Sequence, residues 1–247
     1  KILIANDLLT GGGVENVLYN MVRYLIKNGY DVTLMIPNCS QEEVSNLFEG
    51  NVKLYKAMRS VKPYKRLSIL WFLDRTIYII QRLFFLINIF FYKFDVLIAL
   101  KEGPTMKGLA DCYAKKKFAW IHTDYGYMHW TKHFFKSNEA ELKCMGKYDK
   151  IVCVSNAARD SVVRTIGDPG NLCVKYNPID CSNIGSLSVK KINVENEYDH
   201  LVFISVGRLT NQKNYKLKEE KYPLFYFFVS KSKYNNDFYQ FLIYNKK

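Results

Sequence analysis

Ile2-Leu3-Ile4-Ala5-Asn6, then Thr10-Gly11-Gly12-Gly13-Val14-Glu15, a helix-length segment to Lys27 and finally Gly29 form the stretch from which the fold follows. The first residues are apolar without alternation, as in a strand buried on both faces. Three glycines then allow a tight turn into a helix predicted over Val14 to Lys27. Gly29 stands where a helix end commonly needs a left-handed residue. Strand, glycine turn and helix are the opening unit of an α/β sheet.

The alternation continues along the chain. Further strands are predicted at Asp31 to Ile36, Val52 to Tyr55, Val96 to Leu100, Phe118 to Ile121, Lys150 to Val154 and Leu172 to Lys175. Helix-length segments separate them, one starting after Ser155 with Asn156-Ala157-Ala158-Arg159-Asp160. This is a parallel sheet with crossover helices, and ligands are expected at the carboxyl edge of its strands. The first domain is read as residues 1–179 and the polar stretch 180–200 as a linker. Residues 201–214, opening on Leu201-Val202-Phe203-Ile204-Ser205-Val206, start a second domain. Residues 215–247 are rich in Lys, Tyr, Phe and Asn, contain no Gly, and follow neither period cleanly.

The 247 residues carry 36 Lys and Arg against 23 Asp and Glu, a formal charge of +13. Such an excess favours an anionic partner, whether nucleic acid, a membrane surface or a phosphorylated ligand. No zinc-finger or RNP-like element accompanies the charge, so a nucleic-acid partner is not expected. Cys39, Cys112, Cys144, Cys153, Cys173 and Cys181 form no CxxC pair, which fits a reducing cytosol. No export signal is visible at the start of the chain. The apolar run from Ile77 to Phe91 is interrupted by Gln81, Arg82 and Asn88. It is read first as a core or groove helix, with a membrane-surface helix and a true span as alternatives.

Three constellations carry chemistry. Thr10 to Glu15 reads equally as a ligand loop and as a plain strand-to-helix turn. Its glycines let backbone N–H groups approach a ligand, and the helix start favours an anion. Glu15 suits that first helical turn with or without a ligand. His122 and Asp124 follow a strand, where His122 can meet a sugar hydroxyl or a developing charge. Asp124 either holds the tautomer of His122 or caps the next segment. Arg208 and Lys213 lie on a loop opened by Gly207 after a strand, and suit a pyrophosphate. No two Asp residues stand two apart, and there is no HExxH motif or His/Cys cluster, so no metal site is expected. No GxSxG appears either.

Taken in order, Gly11-Gly12-Gly13-Val14-Glu15, Trp120-Ile121-His122-Thr123-Asp124, Val152-Cys153-Val154-Ser155, Asn177-Pro178-Ile179-Asp180 and Val206-Gly207-Arg208-Leu209-Thr210-Asn211-Gln212-Lys213 resemble family-4 glycosyltransferases of the GT-B fold. The resemblance covers residues 1 to about 214. It implies Rossmann-like domains, retention of anomeric configuration, and a nucleotide-diphosphate sugar as substrate without metal or other cofactor. It places Gly12 and Gly13 against donor phosphates, His122 as the catalytic residue on the donor sugar, and Arg208 and Lys213 on the leaving diphosphate. Gly11, Glu15 and Asp124 fall to the acceptor, a saccharide or a lipid-linked one in surface polysaccharide or glycolipid synthesis. The expected place is the cytoplasm, and the basic and aromatic segment Lys62 to Lys93 reads either as a surface for the inner face of an anionic membrane carrying a lipid-linked acceptor or as a helix packed on the sheet.

The same resemblance implies a carboxyl-terminal domain with a glutamate-rich motif, and adjacent Glu219 and Glu220 do not match it. Residues 215–247 are therefore expected to be a frameshifted or truncated tail, with weak donor binding and little turnover. The alternative function is a non-catalytic remnant that binds acceptor or partner.

Overall fold

The computed structural model describes residues 1–7, 9, 12–37, 39–48, 52–55, 69–189, 203–206, 224–230 and 239–245, with side chains to residue 189 except 69–72. Two units compose the chain, Lys1–Asp180 and Cys181–Lys247.

In the first unit, β1 (Ile2–Ala5) leads into α1 (Gly13–Lys27), then β2 (Val32–Met35), α2 (Gln41–Leu47) and β3 (Lys53–Leu54). The long helix α3 (Ile69–Tyr92) returns the chain to β4 (Val96–Ala99), followed by α4 (Pro104–Leu109) and β5 (Lys116–Ile121). Next come α5 (Asn138–Met145), β6 (Lys150–Cys153), α6 (Asn156–Ile166) and β7 (Leu172–Val174). The seven strands run parallel in the order β3-β2-β1-β4-β5-β6-β7. The chain works outward from β1 in one direction and then resumes on its other side with β4. Strand order therefore reverses between β1 and β4, the crevice where open parallel sheets take ligands.

The strand residues explain the layering. Ile2 and Ile4 of β1 pack with Val17, Leu18 and Val22 of α1, while Leu3 and Ala5 join the opposite core with Phe85 and Ile89 of α3. In β4, Ile98 belongs to the first layer and Leu97 and Ala99 to the second. Both faces are dry, which is why the strands read as unbroken apolar runs. After α1, Gly29 takes φ +78°, and its N–H donates to the Ile26 carbonyl at 2.9 Å. A side chain would be strained in that conformation.

Two expectations are corrected in the second unit. The stretch read as a linker contains helix α7 (Cys181–Ser188). Its serines and Asn183 read as loop because they compete for backbone hydrogen bonds, a preference too weak to forbid a short helix. The stretch 215–247, read as following neither period, holds two strands. After β8 (Phe203–Val206), β9 (Leu224–Ser230) pairs parallel to β8 and antiparallel to β10 (Tyr239–Asn245). The run Leu224-Phe225-Tyr226-Phe227-Phe228-Val229 has the aromatic content that pleated backbone favours even without alternation.

Leu97 is fully buried on a central strand. Leu97→Ala is expected to lower unfolding stability by about 2–5 kcal/mol, read from the midpoint of chemical denaturation.

Candidate functional site

The loops that leave β1, β4 and β5 meet at the carboxyl edge beside the strand-order reversal, and their polar side chains build one site. His122 follows β5 directly and is half-buried. Its Nε2 lies 2.9 Å from the Leu100 carbonyl oxygen. A carbonyl can only accept, so Nε2 carries the proton and Nδ1 is the ring's remaining acceptor. Burial holds the imidazole below its ordinary value of 6.5, although Glu102, the Leu100 carbonyl and Glu15 act in the opposite direction. Lys101 reinforces the neutral form. A neutral His122 thus offers a lone pair to a hydroxyl.

The organising group is Glu102, fully buried after β4. One carboxylate oxygen accepts from the backbone N–H of His122 at 3.1 Å. The other accepts from Thr123 Oγ1 at 2.8 Å and from Trp130 Nε1 at 3.1 Å. A buried carboxylate is tolerable only with such donors, and here they come from the segment that carries His122. Trp130 also receives Lys101 Nζ over its ring at 5.1 Å. Beneath it, Gly103 has φ +88°, and a Cβ there would meet Trp130 at 2.8 Å. Lys101 reaches back to Asp7, the end of the β1 edge, at 3.4 Å, and Thr105 hydrogen-bonds the same carboxylate.

The glycine loop lies outside the described residues at Thr10 and Gly11. Gly12 is extended, with φ −98°, and its N–H donates to Glu15 Oε2 at 2.9 Å. Glu15 therefore caps its own helix, and a Cβ on Gly12 would sit 2.6 Å from that oxygen. Among the described residues, a Cβ on Gly13 would meet nothing within 4 Å. Asp124 accepts from the N–H groups of Gly126 at 2.8 Å and Tyr127 at 3.2 Å. It is a turn former, and the tautomer of His122 is held by the Leu100 carbonyl instead. Glu15 and His122 are brought within electrostatic reach of each other; Arg208 and Lys213 lie outside the described residues.

A second buried carboxylate supports the loop after His122. Glu141 accepts from Tyr125 Oη at 3.0 Å, Thr131 Oγ1 at 2.8 Å and His129 Nε2 at 2.8 Å. Tyr125 stacks on His129, and burial, with Glu141 beside it, pushes its phenol up. Sequence reasoning passed over Asp7, Lys101 and Glu102. The signal was present, since Lys101 and Glu102 follow a strand just as His122 does. Among the described residues, no three His, Cys, Asp or Glu side chains gather as a cation would need.

A seven-stranded parallel sheet flanked by helices, with strand order reversing between β1 and β4 and a glycine turn before α1, defines a Rossmann-like domain. The chain belongs to Glycosyltransferase Family 4, whose model matches residues 11–183. Among solved structures it is similar to Anabaena Alr3699/HepE in complex with UDP and glucose, with TM-score 0.56 and 12% identity over 89% of this chain and 56% of that one. The lipopolysaccharide outer core galactosyltransferase WaaB aligns with TM-score 0.54 and 16% identity, over 92% of this chain and 59% of that one. A glycosyltransferase from Rickettsia africae ESF-5 aligns with TM-score 0.54 and 17% identity, over 92% and 59%. They share its fold, and this chain spans little more than half of the length of each. No curated protein matches the sequence significantly.

Glu102→Ala leaves three donors facing a cavity, and a stability loss on the order of 3 kcal/mol is expected by chemical denaturation. His122 supplies a pH signature. Its folded value is depressed, so the unfolded chain takes up the proton first, and the stability it contributes is present above about 6.5 and falls on acidification. Ring titration by NMR should give a midpoint below 6.5. His122→Asn should flatten the acid limb of the stability profile.

Proposed function

We propose that this chain forms the acceptor-side part of an enzyme that transfers a sugar from a nucleotide-diphosphate donor to a saccharide or lipid-linked acceptor, in surface polysaccharide or glycolipid synthesis in the cytoplasm. The observation that carries the reading is the neutral, tautomer-fixed His122 at the strand-order reversal of a family-4 domain. Structural neighbours solved with UDP, glucose or UDP-glucose support a nucleotide sugar as the donor class.

In this reading Nδ1 of His122 accepts a hydrogen bond from a donor-sugar hydroxyl and fixes the ring for attack. The acceptor oxygen forms a bond to the anomeric carbon, the bond from that carbon to the diphosphate breaks, and the acceptor proton is released. Configuration is retained, and no metal takes part. Charge collects on the diphosphate, where Arg208 and Lys213, by the family resemblance, neutralise it. By the family resemblance, Gly13 and the start of α1 take the donor phosphates. Gly12 belongs with them once Glu15 turns from its N–H toward an acceptor hydroxyl. Gly11 and Asp124 complete the acceptor side.

The test is release of UDP from UDP-glucose in the presence of candidate acceptors, with ligand binding followed separately by calorimetry. His122→Ala should reduce turnover on the order of a hundredfold with the fold intact by circular dichroism. Turnover unchanged in that variant would return His122 to a purely structural role. Acceptor binding with no UDP release at any donor concentration would give the chain to the binding-module reading instead.

A further inference from the structure

Helix α3 is built inside out. Of its three charged residues, Asp74 is buried, Arg82 is turned inward, and Arg75 is exposed on the side away from the apolar row. Arg82 donates to the Gly108 carbonyl at 2.6 Å and pairs with Asp111 at 3.5 Å. Phe85 and Ile89 share this inner face and enter the core beneath the sheet. The opposite face is apolar from end to end. Leu73, Ile77, Ile80, Phe84, Ile87 and Phe91, spaced by four and three residues, are each 43 to 71% exposed. Spacing of that kind places all six on one side of a helix.

The face is also wide. Ile79, Leu83 and Phe90, beside that row, are exposed as well, and Tyr113, 63% exposed, meets Phe90 at 5.5 Å between ring centroids. The segment Leu73–Tyr92 is long and apolar enough to cross a bilayer by composition. Its inner face, however, is held on the domain, by Arg82 on Gly108 and Asp111 and by Phe85 and Ile89 in the core. A helix held on one side and greasy on the other can lie in the plane of an interface.

We propose that the outer face of α3 is a membrane-docking surface that rests, parallel to the bilayer, on an anionic lipid leaflet. Charge selects this occupant over a second copy of the chain. The protein carries +13, which repels another copy and attracts anionic headgroups. Lys93 follows the helix directly, and in sequence Arg59, Lys62, Lys65 and Arg66 precede it. A helix pair would set charged residues beside its apolar row, whereas here the flanking positions are Asp74, Thr76, Gln81, Leu83, Asn88 and Phe90, of which Asp74 alone is charged, and it is buried. At about 36 Å, the helix gives a long contact. The inference is independent of which sugar is transferred, and of whether transfer occurs at all.

The test is co-flotation of the 247-residue chain with phosphatidylcholine vesicles, with and without about one third phosphatidylglycerol. Bound protein should rise about tenfold with the anionic lipid and fall with added salt. Ile80→Gln with Phe84→Gln should abolish flotation without changing the circular dichroism spectrum. Because both side chains are exposed, the core loses nothing. Phe84→Trp supplies a conservative probe, with a blue shift of its emission on vesicle addition expected. Failure of the unaltered chain to float, equal flotation of the double-Gln variant, or an unshifted emission from the Phe84→Trp variant would each overturn the proposal. A dimer in light scattering that the double-Gln variant dissolves, without flotation of either form, would assign the face to a second copy.

Discussion

A parallel strand covered on both faces has no side from which to meet water, and β1 is such a strand, every residue of it buried. Its backbone can be satisfied only by neighbours on either edge, and these are β2 and β4. The chain therefore builds outward from β1 on one side, through β2 and β3, and must return along α3 to begin the other. Two loops diverge at the carboxyl ends of β1 and β4 as a result, and the polar residues of the site stand in that divergence. The place of the site is thus a consequence of sheet closure around one apolar strand.

Within it, buried carboxylates do the positioning. Glu102 fixes the backbone N–H of His122, the hydroxyl of Thr123 and the indole of Trp130. Glu141 does the same for Tyr125, His129 and Thr131 further along the same segment. Neither is left without donors, and their joint effect is to hold the stretch from His122 to Trp130 in one arrangement. His122 itself is fixed through the Leu100 carbonyl, so its tautomer is set by main chain rather than by Asp124. That detail decides whether the ring offers a proton or a lone pair to a ligand.

The α3 helix obeys the opposite logic from α1. In α1 the apolar face is inward, with Val17, Leu18 and Val22 buried, as amphipathic helices on sheets usually are. In α3 the inward face carries an ion pair and two core aliphatic and aromatic residues, while the outward face is apolar. Sequence reasoning favoured a core or groove helix because a run of Ile, Leu and Phe is ordinarily buried. The structure seats one face on the sheet and leaves the other exposed.

The strands, the α1 helix, the left-handed Gly29 and the family were legible in the sequence, because each rests on local chemistry: unbroken apolar runs, a glycine where φ must be positive, and ordered short motifs. Strand boundaries were read within a few residues for the same reason, β5 beginning at Lys116 rather than Phe118. The pairings in 224–230 and 239–245 were missed because aromatic strands need no alternation when propensity and a partner suffice. What local reading does not supply is juxtaposition. Glu102 became the organising group only when the parallel sheet brought the loop after β4 against the loop after β5, and Glu15 was seen to cap its own helix only in three dimensions. The sequence by itself determined the α/β sheet, the family and the position of His122 at a strand end. Tertiary structure alone decided which carboxylate holds that segment, which ring nitrogen stays open and which side of α3 faces outward, since each depends on residues far apart in the chain being packed together.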